Sequence, residues 1–296
     1  MAIQERNPLF SASRLGPRTP ATAALIAIAL GGCSINLGSL SPSAEREEPA
    51  RVTSSSNIAS LTEAIKNNPN DPQAYNMRGS VLAQAGKTEE ALTDFNKAIS
   101  LDPDYGQAFA NRGLIYRQTK RLDQAMADYD RALALDANYA PAYLGRGMVY
   151  KARKQATEAL EDFNKAISLR PDNAEAYYNR GLLYQGQNQH QFAIDDFTAA
   201  NGLVPQQAEP LLGRALSYLA LDKAKEAAAD LDEAVQADPQ NAQIWITRGL
   251  AYERLGEKTK AAGSYGRAIN IRPKDEAARS GFTRVGGKPG QSYDTF

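Results

Sequence analysis

Histidine and cysteine are almost missing: the 296-residue chain has one of each. A single cysteine makes no disulfide framework, and one of each makes no zinc site. A histidine-based catalytic centre needs a nucleophile or carboxylate constellation, and none accompanies His190 in the sequence. Scarce cysteine agrees with an oxidising compartment. An excess of either charge is missing too, since Lys plus Arg and Asp plus Glu both total 34. Without basic excess there is little to hold a phosphate backbone by counterion release, so no nucleic-acid partner is expected. Glycine (22) and proline (15) are too sparse for a collagen or low-complexity chain. No apolar run reaches the roughly 20 residues of a spanning helix. Apolar residues still make up 43%, enough for a substantial core. The expectation is a protein with no metal, no cofactor and no enzymatic activity.

The N-terminus carries the first positive signal. Arg6, Arg14 and Arg18 precede an uncharged stretch whose densest apolar part is residues 21–30. A positive region, a short apolar core and small residues before a cut mark residues 1–32 as a secretory signal peptide. The stretch ends in Leu30-Gly31-Gly32-Cys33, which resembles the lipobox of bacterial lipoproteins. That resemblance implies cleavage before Cys33, alkylation of its thiol with diacylglycerol and acylation of the freed amine. More than one acyl chain makes a stable anchor. Ser34 stands where lipoproteins kept in the inner membrane tend to carry Asp, which implies sorting to the outer membrane. The alternative is an ordinary signal peptide with an inert Cys33. Residues 33–55, rich in Ser with Pro42, Pro49 and a charge cluster at 45–48, read as a flexible tether. Such a coil spans on the order of 25 Å.

The rest is one pattern. Arg-Gly recurs at Arg78-Gly79, Arg112-Gly113, Arg146-Gly147, Arg180-Gly181 and Arg248-Gly249, with Arg214-Ala215 as the remaining copy, and every step is 34 residues. Units are counted 1 to 34 over residues 72–105, 106–139, 140–173, 174–207, 208–241 and 242–275. Position 4 is aromatic or large (Tyr75, Phe109, Tyr143, Tyr177, Leu211, Trp245), as is position 24 (Phe95, Tyr129, Phe163, Phe197, Leu231, Tyr265). Position 11 is Leu82 and then five tyrosines, and positions 20 and 27 are always alanine. Spacings of 4, 8, 11 and of 20, 24, 27 are the stripes of two helices, with small residues allowing close approach. Proline at position 32, replaced only by Ala137, ends the second helix. Such a unit cannot bury its own stripe, so neighbours must stack. These residues resemble the tetratricopeptide repeat (TPR) family, with six units over residues 72–275. The resemblance implies an all-α, right-handed TPR superhelical solenoid. Leu211, Ala215 and Leu231 depart from the pattern and are expected to soften unit five. Residues 56–71, with Leu61 and Ala64 in phase, predict an N-terminal capping helix, residues 276–285 a C-terminal one, and 286–296 a disordered tail.

Arginine occupies position 7 in all six units, and position 23 is Asp in five of them. An anion-binding ladder is one reading, and a structural pair within each repeat is the reading adopted. It puts Arg112 on Asp128, not on Asp94, and leaves Arg248 opposite Ser264. His190 reads as a solvated loop residue, and the position-11 tyrosines read as core.

The TPR resemblance implies a concave groove lined by the first helices, mainly through positions 2, 5, 6, 9, 12 and 13. Here that gives an apolar floor of Leu144, Met148, Tyr178, Leu182 and Leu212, with Asn111, Arg117, Lys151, Asn179 and Gln185 as polar rim. Relatives that clamp chaperone carboxylate tails carry Lys and Asn at positions 5 and 9 of unit one, where Asn76 and Ser80 stand here. Together, lipobox and repeats resemble the NlpI-type TPR lipoproteins. This implies a periplasm-facing scaffold, anchored to the outer membrane through Cys33, that docks protein partners such as cell-wall hydrolases or proteases. An envelope assembly factor, pilotin-like or serving outer-membrane assembly, is the alternative.

Overall fold

The computed structural model describes residues 49–205, 207–291 and 293, so Cys33 and the signal peptide lie outside them. The division of the chain at Arg46 leaves residues 47–296 as one compact unit. Among the described residues every regular element is a helix. Helix α1 (Pro49–Asn67) is followed by six antiparallel pairs. These are α2 (Pro72–Gln84) with α3 (Thr88–Leu101), α4 (Gly106–Gln118) with α5 (Leu122–Leu135), and α6 (Ala140–Ala152) with α7 (Ala156–Leu169). Next come α8 (Ala174–Gly186) with α9 (His190–Leu203), α10 (Ala208–Ala220) with α11 (Ala224–Ala237), and α12 (Ala242–Arg254) with α13 (Lys258–Ile271). Helix α14 (Glu276–Arg284) closes the stack. The result is an all-α superhelix of repeats.

Local chemistry places the helix ends. Asp71, Asn173, Asn241 and Asp275 each accept a hydrogen bond from the first turn of the helix they precede. The second helices stop at the same register even in α5, where Ala137 replaces proline. There the Asp136 carboxylate accepts the Asn138 N–H at 2.8 Å, as Asp102 accepts that of Asp104 at 3.0 Å. A side-chain turn of this kind halts the helix without proline's help.

Between the paired helices the position-20 and position-27 alanines are buried, so the helices approach closely. The position-24 rings fill the space above them, and a Cβ on Gly145 would overlap the Tyr129 ring. Leu211, Ala215 and Leu231 are fully buried, so unit five is packed as tightly as its neighbours. The position-11 tyrosines of units two to five are only half-buried. In units two to four the position-7 guanidinium lies by the ring instead: Arg112 is 5.5 Å from the Phe109 ring centre and 5.7 Å from that of Tyr116, while Tyr218 of unit five faces Lys223.

The ends differ from expectation. Helix α1 starts at Pro49, inside the segment read as tether, and buries Ile65 while Ala64 is exposed. Positions 20, 24 and 27 face the first helix of their own unit, and α1 has none among the described residues. The described part of the segment read as a disordered tail folds back on α14. There Tyr293 meets Phe282 edge-on at 5.8 Å, and its hydroxyl accepts the Lys288 N–H at 2.7 Å.

Candidate functional site

The arginines are held rather than free. Arg78, Arg112, Arg146, Arg180 and Arg214 each bind the Asp of their own unit through Nε and Nη2, with distances of 2.6–2.9 Å. Arg112 thus pairs with Asp128, and the aspartates are buried. Nη1 of the same arginines reaches back to position 25 of the preceding helix, at Thr62, Asn96, Asp130, Asn164 and Thr198. Each guanidinium therefore ties its own unit to the helix before it. Sequence reasoning missed this half, although the run of hydroxyl, amide and carboxylate acceptors at position 25 was its signal. Arg248, opposite Ser264, turns its Nε to Asp232 at 2.7 Å and donates to Ser264 at 2.8 Å. The ring of the next position-7 residue, Phe282, lies over Gly266, so the ladder ends there.

The first-helix face holds the predicted groove residues. Leu144, Met148, Tyr178, Leu182 and Leu212 are half-buried, leaving apolar surface along units three to five. Tyr178 packs at 5.8 Å against Phe197, and burial raises its phenol pKa. Met77 (56% exposed) and Leu114 extend the apolar surface into units one and two.

The polar residues divide. Asn111 donates to Asn76 Oδ1 at 2.9 Å, and Asn76 donates on to the Tyr105 hydroxyl at 3.2 Å. Asn179 is buried, accepts from Lys151 Nζ at 2.7 Å and donates to the Glu175 carbonyl at 2.9 Å. Gln185 donates to the Gly213 carbonyl and the Ser217 hydroxyl, both at 2.8 Å. Asn179 and Gln185 are therefore bridges between units, not an open rim. The cause is register: position 12 of one unit reaches position 6 of the next. Arg117 also stands at position 12, but the residue facing it in that register is Gly145, which has no side chain to offer. Its Nε is buried and has no hydrogen-bond partner. The Lys151 ammonium pKa is lowered by burial first and then by the charge of Arg117, against a smaller pull from Glu175. Burial pushes the Tyr129 phenol up to about 12, opposed by Arg117 beside it. Tyr129 and Glu175 thus join a cluster of which sequence reasoning named only Arg117, Lys151 and Asn179.

His190 opens α9 and is partly buried, with Nδ1 unpaired. No group of three or more His, Cys, Asp or Glu placed to hold a metal ion occurs among the described residues.

Family models described as TPR repeat match residues 79–119, 113–152 and 147–188. Models described as tetratricopeptide repeat match residues 60–93, 174–206 and 212–276. No curated protein matches the chain. Among solved structures, PilF of Pseudomonas aeruginosa is 21% identical at a TM-score of 0.66, over 72% of this chain and 97% of that one. PilW, described as a widely conserved type IV pilus biogenesis factor, is 17% identical at a TM-score of 0.63, over 71% and 97%. A chain of the Cut9–Hcn1 hetero-tetramer of the APC/C is 19% identical at a TM-score of 0.67, over 78% of this chain. The present chain spans 46% of that protein's length. These likenesses concern the fold.

Proposed function

This chain belongs to the tetratricopeptide repeat family, and from that premise we propose that it is a non-enzymatic adaptor of a bacterial cell envelope. Cys33 carries its lipid anchor, the outer membrane is its seat, and the repeats face the periplasm. A segment of a partner protein lies along the first-helix face. The observation that carries this reading is the half-buried apolar line of Leu144, Met148, Tyr178 and Leu182, one helix face repeated through the stack. Apolar surface held open by a rigid stack suits an extended or helical segment. Cell-wall hydrolases or proteases are partners of the kind envisaged. Assembly of an envelope structure is a second reading. It is supported by the overlay of these repeats on 97% of PilF and of PilW, the latter described as a pilus biogenesis factor.

The test is recovery of envelope partners after crosslinking, with identification by mass spectrometry. Leu144→Ala combined with Tyr178→Ala is expected to cut recovery, because a central aromatic is the usual hot spot, worth about 2 kcal/mol or more. Lys97→Glu, on the exposed side of α3, is expected to leave recovery intact at equal helicity. Full recovery by the double variant and loss by Lys97→Glu would place the partner on the other face.

A further inference from the structure

The groove contains one polar place that its own residues leave incomplete. Lys151 has Asn179 and Gln185 has Ser217, each reaching into the next unit. Arg117 has only Gly145 in that register, and its buried Nε lacks a partner. The guanidinium lies close enough to Lys151 to depress the ammonium pKa against a pull from Glu175, while Asp128, the other acid felt in the cluster, is already held by Arg112. Two cations with a single remaining acid leave the cluster net positive.

The far end of the same molecule shows a position-12 group with its charge fully met. Glu253 stands at position 12 of unit six, and Tyr265 at position 24 donates its hydroxyl to that carboxylate at 2.8 Å. Arg284 of the next helix holds the same carboxylate, with Nη2 to Oε2 at 2.8 Å. Carboxylate, tyrosine hydroxyl and guanidinium thus form a closed set. In unit two position 24 again holds a tyrosine, Tyr129, but position 12 holds Arg117 where unit six has the carboxylate, and the residue matching Arg284 is Met148, so a guanidinium and a phenol meet there with no carboxylate from these positions.

We propose that a side-chain carboxylate of the partner segment fills this place, held by Arg117 and Lys151, with its apolar neighbours on Leu144 and Tyr178. The proposal rests on the groove reading above and adds to it the chemistry of the occupant: an Asp or Glu followed by apolar residues. The acid lies inside the segment and is not a chain terminus. It fixes the register of an otherwise sliding apolar contact, since a charge-assisted bond is strong only at one geometry.

The test is selection of a random 12-residue peptide library on the soluble protein from residue 47 onward, the compact unit described above. The C termini are fused to the coat protein, so that only side-chain carboxylates are offered. Wild type is expected to enrich one Asp or Glu beside apolar residues. Arg117→Gln with Lys151→Gln is expected to keep the apolar preference and lose the acid. A selected peptide should bind that variant on the order of tenfold to a hundredfold more weakly, and its Glu→Gln form should bind both proteins alike. Peptides that depend on Tyr178 but show no acid preference would overturn this inference and leave the groove reading standing. Selected peptides indifferent to Leu144→Ala with Tyr178→Ala would overturn both. Circular dichroism confirms that each variant is folded, and Arg117→Lys with wild-type Lys151 should retain part of the acid preference.

Discussion

Arg146 grips Asp162 by two parallel hydrogen bonds, Nε to Oδ2 and Nη2 to Oδ1, both at 2.9 Å. Its Nη1 reaches Asp130 of the preceding helix at 2.8 Å. The two acids differ in burial: the Asp162 side chain is 6% exposed and that of Asp130 53%. Removing Asp162 leaves a guanidinium short of partners where little water enters. Asp162→Ala is therefore expected to cost about 2 kcal/mol, and Asp130→Ala less than about 1 kcal/mol. Urea unfolding midpoints followed by circular dichroism compare them, and equal losses would refute the burial argument.

The turn inside every unit uses a left-handed residue at the same position. Gly86 and Gly256 fill it in units one and six, but Lys120 (φ 62°) and Lys154 (φ 61°) fill it in units two and three. The Lys120 N–H bonds to the Arg117 carbonyl and the Arg121 N–H to that of Tyr116, the usual closure around such a residue. A side chain there is strained, so Lys120→Gly and Lys154→Gly are each expected to stabilise by about 0.5–1 kcal/mol. Thermal unfolding should shift upward, and a downward shift would contradict the strain.

Acid should loosen the C-terminal end. The Glu253 carboxyl is held below its ordinary 4.5, first by its hydrogen bond to Arg284 and also by that from Tyr265. A depressed carboxyl pKa contributes stability that is fully present above the unfolded value. That contribution disappears as pH falls below about 4.5 through the lower folded value. The thermal midpoint of wild type is thus expected to drop towards that of Glu253→Gln on acidification from pH 6 to 3. A gap that stays constant would show that Glu253 titrates normally.

The anchor has its own test. Cys33 is the only cysteine, so Cys33→Ser should leave the precursor uncut at this site. Mass spectrometry of the mature wild type should find an acylated N-terminal Cys33. A free thiol with the N-terminus elsewhere would end the lipoprotein reading.

The sequence by itself determined the repeat. Six alanines at position 20 and six at position 27 leave a second helix little choice but to lie close against its first helix. The fixed step of 34 residues makes each unit repeat its neighbour's geometry. The pairing of Arg112 with Asp128 was legible for the same reason, since both lie within one unit. What only the tertiary structure decided lies between units. The second grip of each arginine on position 25, the reach of position 12 to position 6 of the next unit and the fold-back of Tyr293 onto Phe282 are set by the angle at which one unit meets the next. Helical periodicity describes one helix and carries no record of that angle. Asn179 therefore read as an open rim residue and is a buried bridge, while Arg117, of the same polar character in the sequence, faces the glycine at position 145 and keeps a buried Nε without a hydrogen-bond partner.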